Sequence, residues 1–158
     1  MSKKVLVIGN LGYVGCVLNK HLANDDIEVF GLDANWFGDD KIISDQKKYT
    51  KKQIIGDIRK EISQQNMWSE KYDAVVYLAA ASNDPMGKRF SNVTHEINGE
   101  YCLNIAVEAK KKGVKKFIFA SSCSMYGIAD NNFPNENSEL NPMTEYAKSK
   151  VWAENKLN

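Results

Sequence analysis

Two kinds of hydrophobic pattern alternate along this chain. VLVI (5–8) is a continuous run of apolar residues, which is typical of a strand buried on both faces of a parallel sheet. From Gly12 to Ala23 the apolar residues recur every three or four positions, which predicts an amphipathic helix directly after that strand. The predicted buried face of this helix carries Val14, Val17, Leu18 and Leu22.

The same alternation continues to the end of the chain. Further strands are predicted at 27–32, 53–57, 73–79 and 115–121, and further helices at 62–70, 91–113 and 144–156. The segments 33–51 and 127–142 are polar and lack a period, so we predict long loops of the kind that serve a site, with at most a turn of helix. Strands that alternate with helices predict an α/β fold with a Rossmann-type doubly wound parallel sheet. No strand follows the last helix.

Composition is consistent with a single globular domain over 1–158. The chain has 158 residues, of which 43% are hydrophobic and 26% charged, and no shift in composition marks a second domain. Because 21 basic and 20 acidic side chains leave a net charge of +1, no strong field attracts nucleic acid or an anionic membrane. No run of about 18 apolar residues indicates a membrane span. We therefore predict neither nucleic acid nor a membrane as a partner.

Cysteine usage points to a reducing compartment and gives no metal site. Cys16, Cys102 and Cys123 are scattered, and no CxxC or Cys/His spacing suggests zinc. The apolar run before Gly9 is too short for a signal peptide. We predict a cytoplasmic protein without a bound metal.

The segment GNLGYVG (9–15) carries the first candidate site. Its glycines, Gly9, Gly12 and Gly15, lie between a predicted strand and a predicted helix. Such glycines allow a sharp turn, close approach of main-chain amides to a pyrophosphate, and tight helix–sheet packing. A loop that needs glycine only to turn is the alternative. The predicted cofactor-binding residues here are Gly9, Asn10, Leu11, Gly12, Tyr13, Val14 and Gly15.

Asp33 strengthens the prediction of a dinucleotide site. It lies eighteen residues after Gly15, at the end of the second predicted strand. A carboxylate at this position accepts hydrogen bonds from both ribose hydroxyls and repels a 2′-phosphate, so NAD is favoured over NADP. The alternative is an ordinary surface aspartate.

A second candidate site combines serines with a tyrosine and a lysine. ASSCSMYG (120–127) follows the fifth predicted strand, at the sheet edge where ligands bind in such folds. Tyr146 and Lys150 are four residues apart, which places them on one face of the last predicted helix. An ammonium near a phenol favours the phenolate, which is a general base. The alternative is an ordinary amphipathic helix with an aromatic residue on its face.

Several motifs together resemble the extended short-chain dehydrogenase/reductase superfamily, in its NAD-dependent epimerase/dehydratase branch. They are GNLGYVG, DIR (57–59), YLAAAS (77–82), Asn98, SSCSMYG and YAKSK, in this order, and the resemblance covers essentially the whole chain. It implies that Asp57 and Ile58 border the adenine, and that Ala79, Ala80 and Asn98 line the cofactor or support the site. It also implies a nucleotide-sugar substrate, for which Ser82 and Ser124 are weak candidate contacts.

The resemblance further implies catalytic roles. Tyr146 would be the general base for a sugar hydroxyl, and Lys150 would hold the nicotinamide ribose and favour the phenolate. The catalytic hydroxyl lies four residues before the tyrosine of the YG pair, which is Ser122 rather than Ser124. The implied reaction is hydride transfer between the sugar carbon and NAD, through a transient keto-sugar.

Departures from the family pattern narrow the expected reaction. Members that eliminate water usually carry acidic residues in the two positions after the catalytic hydroxyl, and this chain has Cys123 and Ser124 there. Epimerisation, or simple oxidation or reduction of a sugar, is therefore favoured over dehydration. Ile8 and Asn10 are milder departures, because Thr often precedes the loop and Gly or Ala is common at the second position.

Family members of this kind are commonly about twice as long, with a smaller domain that closes over the nucleotide sugar. This implies that the chain lacks the substrate domain. One hypothesis is an N-terminal part that works in a longer polypeptide or with a complementing C-terminal half. The other is a non-catalytic dinucleotide-binding module. An uncovered edge of the sheet also predicts a homodimer or aggregation.

Overall fold

A computed structural model describes residues 2–36, 38, 40–61, 66–82, 89–128 and 133–158. The chain forms two compact units. The first contains the residues up to Ala79 together with Asn104–Ala120. The second contains Ala80–Leu103 together with Ser121–Asn158. Each unit holds one of the two candidate sites, and each is described by itself.

A five-stranded parallel sheet forms the centre of the first unit. Its strands are β1 (Lys4–Ile8), β2 (Glu28–Asp33), β3 (Lys52–Ile55), β4 (Ala74–Tyr77) and β5 (Lys116–Phe119). The strand order is β3-β2-β1-β4-β5, and every neighbouring pair is parallel. The chain therefore builds one half of the sheet outward from β1 and then returns to build the other half, which confirms the predicted Rossmann-type doubly wound fold. Ligands bind at such a reversal of strand order, and the glycine loop follows β1 there.

The three central strands are more buried than the two edge strands. Val5, Val7, Val29 and Val76 form an apolar cluster on one face, against which Leu18 and Leu22 of the first helix pack. In β5 the residues alternate between exposed and half-buried, and Ile118 is 50% exposed. In β3, at the other edge, Ile55 is 49% exposed.

The first helix, α1 (Tyr13–Asn24), confirms the predicted element but corrects its buried face. Leu18 and Leu22 are partly buried as predicted, whereas Val14 is 60% exposed and Val17 is 52% exposed. The helix instead buries Gly15 and Asn19. Spacing alone favoured the valines, but the absence of a side chain at Gly15 brings that face of the helix closest to the strand and loop.

The helix predicted at 62–70 is wrong for residues 66–70, which form turns and bends, while 62–65 lie outside the described residues. The helical turn in this region is α3 (Ile58–Glu61), which begins earlier because the carboxylate of Asp57 accepts a hydrogen bond from the Arg59 amide at 2.9 Å. Upstream, the segment predicted as a long loop with at most a turn of helix contains the helix α2 (Asp40–Gln46).

The helix predicted at 91–113 consists of three consecutive segments. These are α4 (Ser91–His95), a π-helical turn (Glu96–Glu100) and α5 (Tyr101–Lys111). In the second unit, a 3₁₀ turn (Cys123–Tyr126) and the helix α6 (Glu145–Leu157) follow. α6 packs against α4, the π-helical turn and the 3₁₀ turn. Among the residues that the structure describes, no helix has the length and apolar character needed to span a membrane.

Candidate active site

The glycine loop is closed by contacts that leave no room for side chains at two of its glycines. Gly9 has φ +87°, and a Cβ there would lie 2.5 Å from the amide nitrogen of Ala79, which follows β4. A Cβ on Gly15 would lie 2.5 Å from the carbonyl oxygen of Gly9. Real Cβ atoms do not approach so closely, so the loop and the start of α1 require glycine at both positions.

Asp33 lies beside this loop at the end of β2. Its Oδ2 atom accepts a hydrogen bond from the Leu11 amide at 3.0 Å, and its Oδ1 atom accepts one from the Asn35 amide at 2.8 Å. Each carboxylate oxygen can accept more than one hydrogen bond. The half-buried carboxylate is thus held at the loop with capacity for two ribose hydroxyls.

The residues of the first unit fit a dinucleotide diphosphate. Gly12, the N-cap of α1, offers no side-chain acceptor to the helix amides, and the first turn contains no acidic residue. The side chains of Tyr13 and Val14, in this first turn, are 92% and 60% exposed. An uncapped helix N-terminus behind a glycine loop attracts anionic oxygens through its amides and the helix dipole.

Asp57, which is predicted to border the adenine, is held in place by an ion pair with Arg59. The carboxylate of Asp57 accepts hydrogen bonds from the Arg59 guanidinium at 2.6 to 3.1 Å. The guanidinium holds the pKa of Asp57 below its ordinary value of 3.8. Ile58 is buried, and the amide of Ala79 donates to the Ile8 carbonyl at 2.9 Å.

In the second unit, Ser122 begins the 3₁₀ turn. Its Oγ atom accepts a hydrogen bond from the Ser124 amide at 3.2 Å and lies 2.9 Å from Ser124 Oγ in a hydroxyl–hydroxyl bond. Cys123, between them, is exposed. Ser124 therefore orients the Ser122 hydroxyl, whereas nothing in this turn supplies an acid.

Tyr146 and Lys150 share one face of α6, as their spacing predicted. The Nζ atom of Lys150 lies 5.7 Å from the centre of the Tyr146 ring. Lys150 is 2% exposed, and burial lowers its pKa from 10.5 to about 8, although the neighbouring Cys102 and Glu154 act in the opposite direction. The ammonium is therefore still largely protonated at neutral pH, in a desolvated position where its charge acts strongly.

A buried hydrogen-bond network supports the start of α6. The side chain of Asn98, in the π-helical turn, accepts from the Ala81 amide at 2.8 Å and donates to the Ala81 carbonyl at 3.2 Å. It also donates to Ser149 Oγ at 3.0 Å, and Ser149 Oγ donates to the Tyr146 carbonyl at 2.7 Å. The network fixes α6 at Tyr146 against the loop after β4. Ala80 is half-buried and Ser82 is exposed.

Sequence reasoning missed several residues around both sites. Ser149 bonds to the Tyr146 carbonyl and Cys102 interacts with Lys150. Behind the glycine loop lie the amides of Asn19 and Gln46, which are buried, and of Gln53, which is half-buried. A polar residue inside the helical stripe of α1 was the available signal for Asn19. Gln46 and Gln53 gave no local signal, because their burial depends on how distant elements pack.

Comparison with known proteins gives a consistent result. The profile of the NAD dependent epimerase/dehydratase family matches residues 5–157. UDP-glucose 4-epimerase of Lactobacillus helveticus is 30% identical over 152 residues, which are 96% of this chain and 45% of the relative. N-acetyl-alpha-D-glucosaminyl-diphospho-ditrans,octacis-undecaprenol 4-epimerase of Escherichia coli O157:H7 is 30% identical over 99% of this chain and 43% of its own length.

The fold agrees with these sequence relatives. The structure of the UDP-Glc/GlcNAc 4-epimerase from Campylobacter jejuni superimposes with a TM-score of 0.88 and 26% identity, covering 98% of this chain and 47% of that one. The chain thus spans less than half the length of the relatives that it matches. The resemblance seen in the motifs is confirmed, and NAD is the cofactor of the family. This chain belongs to the NAD dependent epimerase/dehydratase family.

Proposed function

We propose that this chain binds NAD and carries the catalytic residues of a nucleotide-sugar 4-epimerase. The observation that supports this most strongly is the Tyr146 and Lys150 pair, in which a buried ammonium lies 5.7 Å from the centre of the phenol ring. Burial keeps this charge out of water, so its effect on the neighbouring phenol is only weakly screened. An ordinary surface helix does not bury a lysine in this way.

The chain's own residues have separate tasks in this proposal. Tyr146 removes the proton from a sugar hydroxyl, and the Lys150 ammonium lies 5.7 Å from the centre of its ring. Ser122 donates a hydrogen bond to the same substrate oxygen, and Ser124 orients the Ser122 hydroxyl. NAD, when bound, supplies the hydride acceptor and donor for the sugar carbon. Inversion requires that the hydride return to the opposite face of the transient keto-sugar, while Tyr146 gives its proton back to the oxygen.

The turn that follows Ser122 favours epimerisation over dehydration. Elimination of water requires an acid and a base near the departing hydroxyl. Cys123 is exposed, and the Ser124 hydroxyl is hydrogen-bonded to Ser122. Two relatives that are 30% identical to this chain are named as 4-epimerases of diphosphate-linked sugars, either UDP-glucose or an undecaprenyl-diphosphate-linked N-acetylglucosamine. We therefore propose a diphosphate-linked hexose as the substrate class.

The test is conversion of UDP-glucose or UDP-N-acetylglucosamine to the C4 epimer, followed by NMR with NAD present. Within a longer polypeptide, or together with a complementing C-terminal half, the wild-type chain should produce the epimer, and Tyr146→Phe should abolish the conversion while retaining NAD binding. Ser122→Ala should lower the rate by roughly 10² or more, and Ser124→Ala by much less, since it acts only through Ser122. NAD binding without conversion would contradict the catalytic proposal and favour the dinucleotide-binding module. Stoichiometric NADH would instead indicate a sugar dehydrogenase.

A further inference from the structure

A pair of side-chain amides behind the glycine loop, one buried and one half-buried, joins that loop to the edge strand β3. Asn10 Nδ2 donates to Gln53 Oε1 at 2.7 Å, and Gln53 Nε2 donates back to Asn10 Oδ1 at 3.0 Å. Asn10 is fully buried. Asn10 follows β1, so the pair crosses over β2 to reach β3 and connects three neighbouring strands.

Gly31 of β2 provides the space for this crossing. It pairs with Val7 on one side and with Gln53 on the other, directly beneath the two amides. A Cβ at this position would collide with Asn10 Nδ2 and would lie 2.6 Å from Gln53 Oε1. Glycine is unfavourable inside a strand unless a close approach requires it, and here the amide pair makes that approach.

Asn19 and Gln46 extend the connection on the helical side. Asn19 Nδ2, on the buried face of α1, donates to the Asn10 carbonyl at 3.0 Å and to Gln46 Oε1 at 2.9 Å. Gln46 is the last residue of α2 and is 9% exposed. Asn10 is thus held through its main chain and through both polar atoms of its side chain. We name Asn10, Asn19, Gln46 and Gln53 the amide ladder.

One main-chain amide connects the amide ladder to Asp33, the predicted ribose ligand. The residue after Asn10 is Leu11, whose amide donates to Asp33 Oδ2 at 3.0 Å. A rotation of the loop at Asn10 would therefore move the Leu11 amide and release one oxygen of Asp33. Fixing Asn10 fixes both the course of the glycine loop and the orientation of the Asp33 carboxylate.

Stability alone does not explain buried amides at these positions. Apolar side chains of similar shape that replace both partners of a buried hydrogen bond leave stability nearly unchanged. Within the described part of the chain, Asn19 Oδ1 is buried without a hydrogen-bond partner, which is unfavourable. Directional hydrogen bonds, however, restrict a loop to one conformation in a way that apolar contacts do not.

We propose that the amide ladder is a positioning device that holds the glycine loop and Asp33 in the conformation that binds the dinucleotide. The proposal rests on the NAD binding proposed above and assigns Asn10, Asn19, Gln46 and Gln53 as positioning residues. The alternative is that these side chains serve only as internal packing. In that case, variants that preserve side-chain volume would leave the loop conformation unchanged.

The test is the double variant Asn10→Leu/Gln53→Met, which removes both amides and keeps the volume. Its free energy of unfolding should remain close to the wild-type value. Hydrogen exchange of the Leu11 and Gly12 amides should become faster, and the Kd for NAD should rise about tenfold or more, equivalent to one lost hydrogen bond. Asn24→Ala, which removes an exposed amide from α1, should change neither quantity.

Unchanged exchange at Leu11 and Gly12 in a folded double variant would overturn the proposal, and so would an unchanged Kd for NAD. If the double variant does not fold, Gln46→Met removes the outermost amide of the ladder and is measured in the same way. Should wild-type chain fail to bind NAD, the proposed function fails, and the exchange rates still decide whether the ladder holds the loop.

Discussion

At the scale of single residues, Lys150 carries a charge in a place where a charge is unfavourable. Its pKa is about 8 in the folded chain and 10.5 when free of this environment. Below about pH 8 both the folded and the unfolded chain are protonated at Lys150, so the penalty for burying the ammonium is fully present. Between pH 8 and 10.5 the folded chain releases this proton first, so the penalty disappears as the pH rises.

We therefore predict that Lys150→Met is more stable than wild type at pH 7, by up to about 3 kcal/mol. The gain should shrink as the pH rises through 8 to 10.5. Urea unfolding across this range measures it. Lys148→Met, which removes an exposed lysine from the same helix, is the control and should change the free energy of unfolding only slightly. A constant gain for Lys150→Met would contradict the account.

Gly9 and Gly113 separate the effect of crowding from that of backbone conformation. Both have positive φ, +87° and +78°, but only Gly9 has neighbours where a Cβ would lie. Gly113→Ala should lower the free energy of unfolding by about 1 kcal/mol through backbone strain alone. Gly9→Ala should cost about 1–3 kcal/mol more, because its Cβ would meet the Ala79 amide. Thermal unfolding measures the loss of stability in the two variants. Equal losses would contradict the predicted contact between a Cβ at position 9 and the Ala79 amide.

Residues with a local signal were predictable from the sequence, and residues defined by packing were not. Gly9, Asp33 and the Tyr146 and Lys150 pair were found because spacing and a neighbouring strand or helix identify them. Asn19 was missed because the pattern was interpreted as a purely apolar face. The roles of the predicted site residues stay predictions until variants are measured.

At the scale of elements, the contact between α6 and the π-helical turn determines how Tyr146 is presented. π-helical turns are rare in proteins, but those that occur are often found at functional sites. Here the turn contains Asn98, and it also contains Gly99, where a Cβ would lie 2.9 Å from the Trp152 ring of α6. The close approach of these two helical segments allows the Asn98 and Ser149 side chains to meet.

Ser149→Ala should remove both the acceptor of Asn98 Nδ2 and the donor to the Tyr146 carbonyl. Since Ser149 is buried, we expect a loss of about 1–2 kcal/mol in the free energy of unfolding. Ser138→Ala removes a half-buried serine that accepts one solvent-exposed hydrogen bond, and it should cost less than about 0.5 kcal/mol. Urea unfolding of both variants measures the difference. A loss at Ser149 no larger than that at Ser138 would argue against the network.

Elements with continuous apolar runs were predicted well, and short polar elements were not. All five strands were identified because each contains at least two consecutive apolar residues. The helix predicted at 62–70 was wrong because the start signal at Asp57 was not used. α2, which is polar, was anticipated only as a turn of helix.

At the scale of the whole molecule, the alternation of strands and helices predicted the parallel, doubly wound sheet, whereas the structure gives its strand order. Crossover connections between parallel strands are right-handed, which leaves few arrangements of five strands. What alternation does not determine is what covers the edges of the sheet. The chain matches less than half of its relatives' length, and both edge strands carry an apolar residue that is about half exposed, Ile55 and Ile118.

Self-association through β5 is the expected consequence of this open edge. We predict that light scattering detects dimers or larger species of the wild-type chain, and that Ile118→Lys shifts them toward monomer. Ile55→Lys, at the opposite edge and equally exposed, shows whether β3 contributes to the same association. A monodisperse wild-type monomer, or an Ile118→Lys variant that associates as the wild type does, would contradict the prediction.

The proposed activity depends on an NAD site formed by the glycine loop and Asp33. Titration calorimetry of the wild-type chain with NAD, and separately with NADP, tests it most directly. We predict saturable binding of one NAD per chain. NADP should bind at least about tenfold more weakly, because the Asp33 carboxylate repels its 2′-phosphate. No binding at millimolar NAD, or equal affinities for the two dinucleotides, would contradict it.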